Sequence, residues 1–260
     1  MQRAADAERA LEELSGLRRG HLRIHASQTI ANYWLPARLH RFRQDHPKLS
    51  LALTIGNTAQ VVEAMIEGKS DLGLVEGEIE EVPLRRQSML GDRLVLVVGS
   101  SHPWSKRRRV RPAELTETNW VLREPGSGTR QVFESAAKAM GIDPGALAVV
   151  LELPSNEAVR SAVEAGAGAT VISELVVASS LRHGGLHAIA LPLPRRDFTI
   201  LRHPDRYQSR AVTAFIQMVE AEQGSPAPAR VSRPRGGQGA RRAPESRSNP
   251  ALRRSGTASS

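Results

Sequence analysis

Residues 20–77 read GHLRIHASQTIANYWLPARLHRFRQDHPKLSLALTIGNTAQVVEAMIEGKSDLGLVEG, and their periodicities decide the fold. Leu22, Ile24 and Ala26 alternate, which predicts a strand over 21–26. Leu35, Leu39 and Phe42 then fall on one stripe of a helix running from Ile30 to Asp45. Leu49, Leu51, Leu53 and Ile55 alternate again and predict a second strand with all four inward. Val61 to Ile66 continues a helix that Gly68 ends, and Asp71 to Val75 is a third, short strand. Strand, helix, strand, helix, strand is the pattern of a parallel sheet with right-handed crossovers, hence an α/β fold.

Outward from this stretch the pattern restarts. Arg93 to Val98 is an apolar run typical of a buried strand, and Ser101 to Arg109 is a polar, basic loop. Strands are predicted at 120–123, 149–153, 169–172 and 186–191. Helices are predicted at 130–140 (ended by Gly141), 157–164 (ended by Gly166) and 174–181. An amphipathic helix over 210–221 carries Val212, Phe215, Ile216 and Val219 on one side, with Gln217 and Glu220 opposite. Two βαβ lobes facing each other across a cleft are expected.

The chain has 260 residues, 36 Lys or Arg and 27 Asp or Glu, a formal charge of +9. From Gln223 onward stand eight arginines against the single acid Glu245, a net +7, which leaves +2 for the first 222 residues. So neutral a body argues against a phosphate-binding face as its main surface. The segment 223–260, rich in Arg, Pro, Gly and Ser, is expected to be disordered. Having no cysteine excludes disulfides, thiolate metal sites and cysteine nucleophiles. No apolar run is long enough for a membrane helix, and the first twenty residues lack a secretory signal, so a soluble, cytoplasmic protein is expected.

Short hydroxyl and amide side chains mark four strand-to-helix junctions: Ser27, Gln28 and Thr29; Asn57 and Thr58; Ser127, Gly128, Thr129 and Arg130; and Ser155 and Asn156. In an open parallel sheet such junctions lie at the edge where ligands bind, and each opens a helix whose first amides carry partial positive charge. Converging on one cleft, they would hold an anion, with Arg123 and Arg130 adding charge and Glu124 accepting from a donor. Taken singly, each is more often just a helix cap. Four together, two per lobe, favour the binding reading. Gly126 and Gly128 lack the rest of a dinucleotide motif, and Ser127 in PGSGT lacks a Gly-x-Ser-x-Gly elbow. His21 and His25 have no third metal ligand, and Trp34, Trp104 and Trp120 read as packing residues. No enzyme chemistry and no cofactor or metal is expected.

The stretches GHLRIHASQTIANYWLPARLHRFRQDHP, LALTIGNTAQVVEAMIEGKSDLGLVEG, DRLVLVVGSSHPW, REPGSGTRQVFE and SNEAVRSAVEAGAGATVIS resemble the effector-binding domains of LysR-type transcriptional regulators, in family order and spacing across residues 20–220. The resemblance implies two βαβ lobes joined by crossover strands, like type 2 periplasmic binding proteins, with an effector in the cleft. It places effector contacts at Ser27, Thr29, Asn57, Thr58, Ser127 to Arg130, Ser155 and Asn156. It also implies lobe I at 20–92 plus 196–222 and lobe II at 93–195, and makes residues 1–19 the end of a linker helix that pairs subunits. The REPGSGTR form looks most like regulators that respond to small anions or metabolites.

A full regulator of this kind carries a winged helix-turn-helix ahead of the linker, whereas Met1 falls within the linker helix, so sequence-specific DNA binding does not carry over to this chain. The function expected is that of an effector-sensing module in a homodimer or homotetramer, with a small anionic or carboxylate effector, DNA only through the absent helix-turn-helix, and no membrane. The alternative is a stand-alone or transport-type solute-binding protein without DNA-binding function.

Overall fold

The computed structural model describes residues 20–79 and 81–224. The linker helix expected over 1–19 and all but the first two residues of the expected tail lie outside the described residues.

Strand β1 (Gly20–Ser27) lies between β2 (Leu49–Gly56) and β3 (Leu72–Glu76), parallel to both, with Gly20 opposite Leu49 and Ile24 opposite Leu72. A π-helical turn at Ile30–Trp34 follows β1 and runs into α1 (Leu35–Asp45). Helix α2 (Thr58–Glu67) joins β2 to β3, closed at its start by an Asn57–Gln60 capping box. Gly68 ends it in the left-handed conformation that a side chain resists. The same plan recurs around β5 (Asn119–Arg123), parallel to β6 (Ala148–Leu153) and β7 (Ala169–Ser173). Here the helices are α3 (Gly128–Ala139), α4 (Asn156–Glu164) and α5 (Glu174–His183), and β8 (Leu186–Ile189) follows.

Two strands unite the halves, the first predicted only over Arg93 to Val98 and the second not predicted. Strand β4 (Arg85–Gly99) is fifteen residues long; it pairs antiparallel with β9 (Arg195–Arg202) as far as Arg93 opposite Arg195, then from Leu94 with β7 and from Leu96 with β8. Alternation in β9 is short, Phe198 and Ile200 only, because RRD opens it; Arg196 is nevertheless buried, because Asp92 on β4 neutralises it. The sheet is therefore mixed, in the order β2-β1-β3-β9-β4-β7-β5-β6 with β8 on β4.

Helices cover both faces of each half. Helices α1 and α6 (Arg210–Gly224) pack on Leu22, Ile24, Leu74, Phe198 and Ile200, and α2 packs the opposite face through Val61 and Met65 against Val75 and Leu201. Trp120 and Phe133 fill the core beneath α3, with ring centroids 4.7 Å apart. Val97, Val121 and Ile172 meet α4 and α5 on the other side. The expected inward set on β2 is corrected at one position: Ile55, near the end of this edge strand, is 48% exposed. The other edge, β6, likewise exposes Val149, Val150 and Leu151. Among the described residues no helix is long and apolar enough to cross a membrane.

Candidate functional site

All four predicted junctions face one another. From the first half, Gln28 Nε2 donates to the Pro154 carbonyl at 2.6 Å, and Gln28 Oε1 accepts from the Asn156 backbone at 3.0 Å. Asn156 Nδ2 donates to Thr29 Oγ1 at 3.2 Å, while its Oδ1 accepts from Arg123 Nη1 at 2.6 Å. At the second pair of junctions, Asn57 Nδ2 donates to Glu124 Oε1 at 3.1 Å, and the Ala59 amide donates to the Gly126 carbonyl at 3.2 Å. Ser155 remains a helix cap, accepting from the Ala158 amide at 3.2 Å and donating to Glu157. The lobes are thus latched by hydrogen bonds between the starts of helices on opposite sides.

Behind these turns lies a buried polar cluster that the sequence did not disclose. The Glu76 carboxylate, at the end of β3, accepts from Ser27 Oγ, and the Glu76 carbonyl accepts from Thr58 Oγ1 at 2.8 Å. Arg196 donates to Thr129 Oγ1 at 3.0 Å and to Asp92 Oδ2 at 2.9 Å, and stands 3.9 Å from Glu76. Ser173 Oγ also donates to Asp92. Desolvation pushes the Glu76 carboxyl above its ordinary range, against the opposing pull of Arg196 and, more weakly, of Arg123 and the Thr29 hydrogen bond. For Glu124 burial also raises, but hydrogen bonds from Arg123 and Asn57 outweigh it and leave the carboxyl below its ordinary range. A usable signal for Glu76 existed in DLGLVEG: an acid closing an otherwise apolar strand. Arg196 and Asp92 left none, since each is buried only because the other is.

The two arginines expected to supply free positive charge are engaged. Arg123, 3% exposed at its side chain, binds Glu124 at 2.7 Å. Arg130 is held by Glu134 at 2.7 Å and Glu152 at 2.6 Å. Gly128 serves close approach: a Cβ there would stand 1.9 Å from the Glu76 carbonyl oxygen. Ser127 is buried and caps nothing with its hydroxyl.

Two α/β halves that share crossover strands and clasp a polar cluster between their helix starts define a bilobal binding domain. The profile of the LysR substrate binding domain matches residues 15–224. The chain is 33% identical over 208 residues to the "Uncharacterized HTH-type transcriptional regulator YeiE" of Escherichia coli K12, covering 79% of this chain and 70% of that one. It is 31% identical over 216 residues to a "Probable RuBisCO transcriptional regulator" of Porphyra purpurea, covering 81% and 68%. The Synechocystis PCC6803 CcmR regulatory domain in complex with 2-PG superposes with a TM-score of 0.72 at 26% identity, covering 79% of this chain and 98% of that one. The chain belongs to the LysR family of transcriptional regulators, through its effector-binding domain. That family is one of regulators, not of enzymes.

Proposed function

We infer that this domain senses a small anionic or carboxylate metabolite bound in the cleft between the lobes, and that binding resets the packing of subunits to control transcription. The observation that carries this is the convergence of Ser27, Thr29, Thr129 and Asn156, from three separate helix starts, on one buried cluster with Arg196. Around it we place Gln28, Asn57, Gly128 and Ser155 as further effector contacts, with Thr58, Ser127 and Arg130 on the side that opens to the outer groove between α2 and α3. The carboxylate of Glu76 already sits among Ser27 and Arg196, so an incoming anion competes with it for the same donors. An effector shifts the equilibrium between open and latched lobes only by its differential affinity for the two. The 2-PG complex of the related CcmR domain makes that ligand an apt first probe.

Lobe I comprises 20–92 plus 196–222 and lobe II 93–195, with the hinge where β4 leaves β9 for β7. A homodimer or homotetramer is supported by the edge strands β2 and β6, whose exposed aliphatic residues and edges, unpaired among the described residues, suit a second copy. Contact with DNA is assigned to a winged helix-turn-helix of the kind that names the HTH-type relative, which is not among the described residues.

Calorimetric titration with 2-PG, phosphate and small carboxylates tests this. Saturable binding that Ser27→Ala with Thr129→Ala weakens, and Glu76→Gln strengthens, is expected. No saturable heat from any of them, or affinities indifferent to all three substitutions, would end the proposal.

A further inference from the structure

A groove of about 600 Å³ runs along the outside of the latch, between α2 and α3. Its volume lies within the range of small-ligand clefts, roughly 300–1,000 Å³. The floor is aliphatic: Val62, Ile66, Ile79 and Val82, with Ile66 41% exposed. The rim is acidic: Glu63, Glu67, Glu78 and Glu134 line it, with Glu67 paired to Lys69 at 2.5 Å and Glu134 to Arg130, which Glu152 also shares, while among the described residues no salt bridge joins Glu63 or Glu78. Opposite the acids, Ser127 borders the groove while only 3% exposed, and its hydroxyl has no hydrogen-bond partner among the described residues. The residue is buried, yet its oxygen is not among the sealed atoms that lack a partner, so it opens on the groove, where a ligand atom can reach it.

We propose that this groove is a second binding site, distinct from the cluster around Glu76, for a small ligand with an aliphatic body and a cationic amine or guanidinium group. The aliphatic floor takes the body, the glutamate rim takes the cation through charge-assisted hydrogen bonds, and Ser127 fixes the end that lies against α3. An anion is disfavoured there, because the four glutamates outnumber Arg130 and Lys69 by two formal charges. Since the Thr58 and Gly126 side of the groove is also the latch, a ligand seated in it touches both lobes at once.

The test is a titration of the full 260-residue chain, labelled with ¹⁵N, by hexylammonium, hexanol and hexanoate, read as amide shifts. Hexylammonium is expected to give saturable shifts confined to the groove residues, hexanol to bind about tenfold more weakly, and hexanoate to leave them unmoved. In the Glu63→Lys, Glu78→Lys double variant the preference for the amine over hexanol is lost, while hexanol still shifts the same residues and so shows the groove intact. Ser127→Ala weakens the amine severalfold. Equal binding of all three compounds, shifts centred elsewhere, or an amine preference that survives the double charge reversal overturns the proposal. Anion binding at the inner cluster is read separately, at Thr29 and Asn156, so failure of either site leaves the other's result standing.

Discussion

The α-carbon of Gly128, in the second half, faces the backbone of Glu76, in the first, so closely that a Cβ would fall 1.9 Å from the Glu76 carbonyl oxygen and 2.7 Å from Thr58 Oγ1. Backbone meets backbone there, and nothing flexible can yield. Gly128→Ala is therefore expected to prop the lobes apart rather than be absorbed, at about 3 kcal/mol if the latch stays shut. Small-angle scattering should show a larger radius of gyration, and urea unfolding a lower midpoint. A variant with unchanged dimensions and stability would contradict the contact.

Asn156 is 0% exposed and ties Arg123 to Thr29 across the halves. Asn156→Ala leaves the buried Arg123 guanidinium short of an acceptor, a loss of about 1–3 kcal/mol. Asn156→Asp keeps the acceptor but not the donor to Thr29, and should lose less. Urea denaturation of the two variants checks the order.

Burial raises the folded-state pKa of Glu76 above its unfolded value, so across the window between them the native state binds more protons. The stability that this group contributes is present below the ordinary glutamate range and is lost as the pH rises through the elevated folded value. Glu76→Gln removes that slope. Thermal melts of both proteins from pH 4 upward should show the wild type losing ground to the variant with rising pH; parallel curves would rule the shift out.

Glu114 behaves in the opposite sense. Hydrogen bonds from Arg107, at 2.8 Å, and from the Arg111 amide, at 2.8 Å, hold its pKa at about 2. Its contribution is present above the ordinary glutamate range and lost as the pH falls through about 2. Glu114→Gln should therefore lower the melting temperature at neutral pH, and the gap to the wild type should close as the pH is taken down towards 2.

Legibility in the sequence followed the locality of the cause. The helices from Val61, Arg130 and Glu157 are readable because apolar spacing and a terminating Gly act within a few turns, and each appears within three residues of its expected start, with Gly68 in the left-handed form, whereas the helix expected from Ile30 opens as a π-helical turn and becomes α-helical at Leu35. The four polar junctions were readable for the same reason, since a strand end followed by Ser, Thr or Asn is a local pattern. Ile55 departs from its expected burial because alternation reports which face a side chain takes, and not whether anything covers that face at the sheet's edge.

The order of α/β elements and the chemistry of the helix starts were thus fixed by neighbours along the chain. Only the tertiary structure decided that β4 and β9 run through both halves, that Arg196 finds Asp92 from 104 residues away, and that Glu76 lies buried among the very hydroxyls expected to receive an anion. The physical reason is that a charge is tolerated inside a protein only beside its partner, and partners so far apart in sequence leave no periodicity or spacing by which either announces the other.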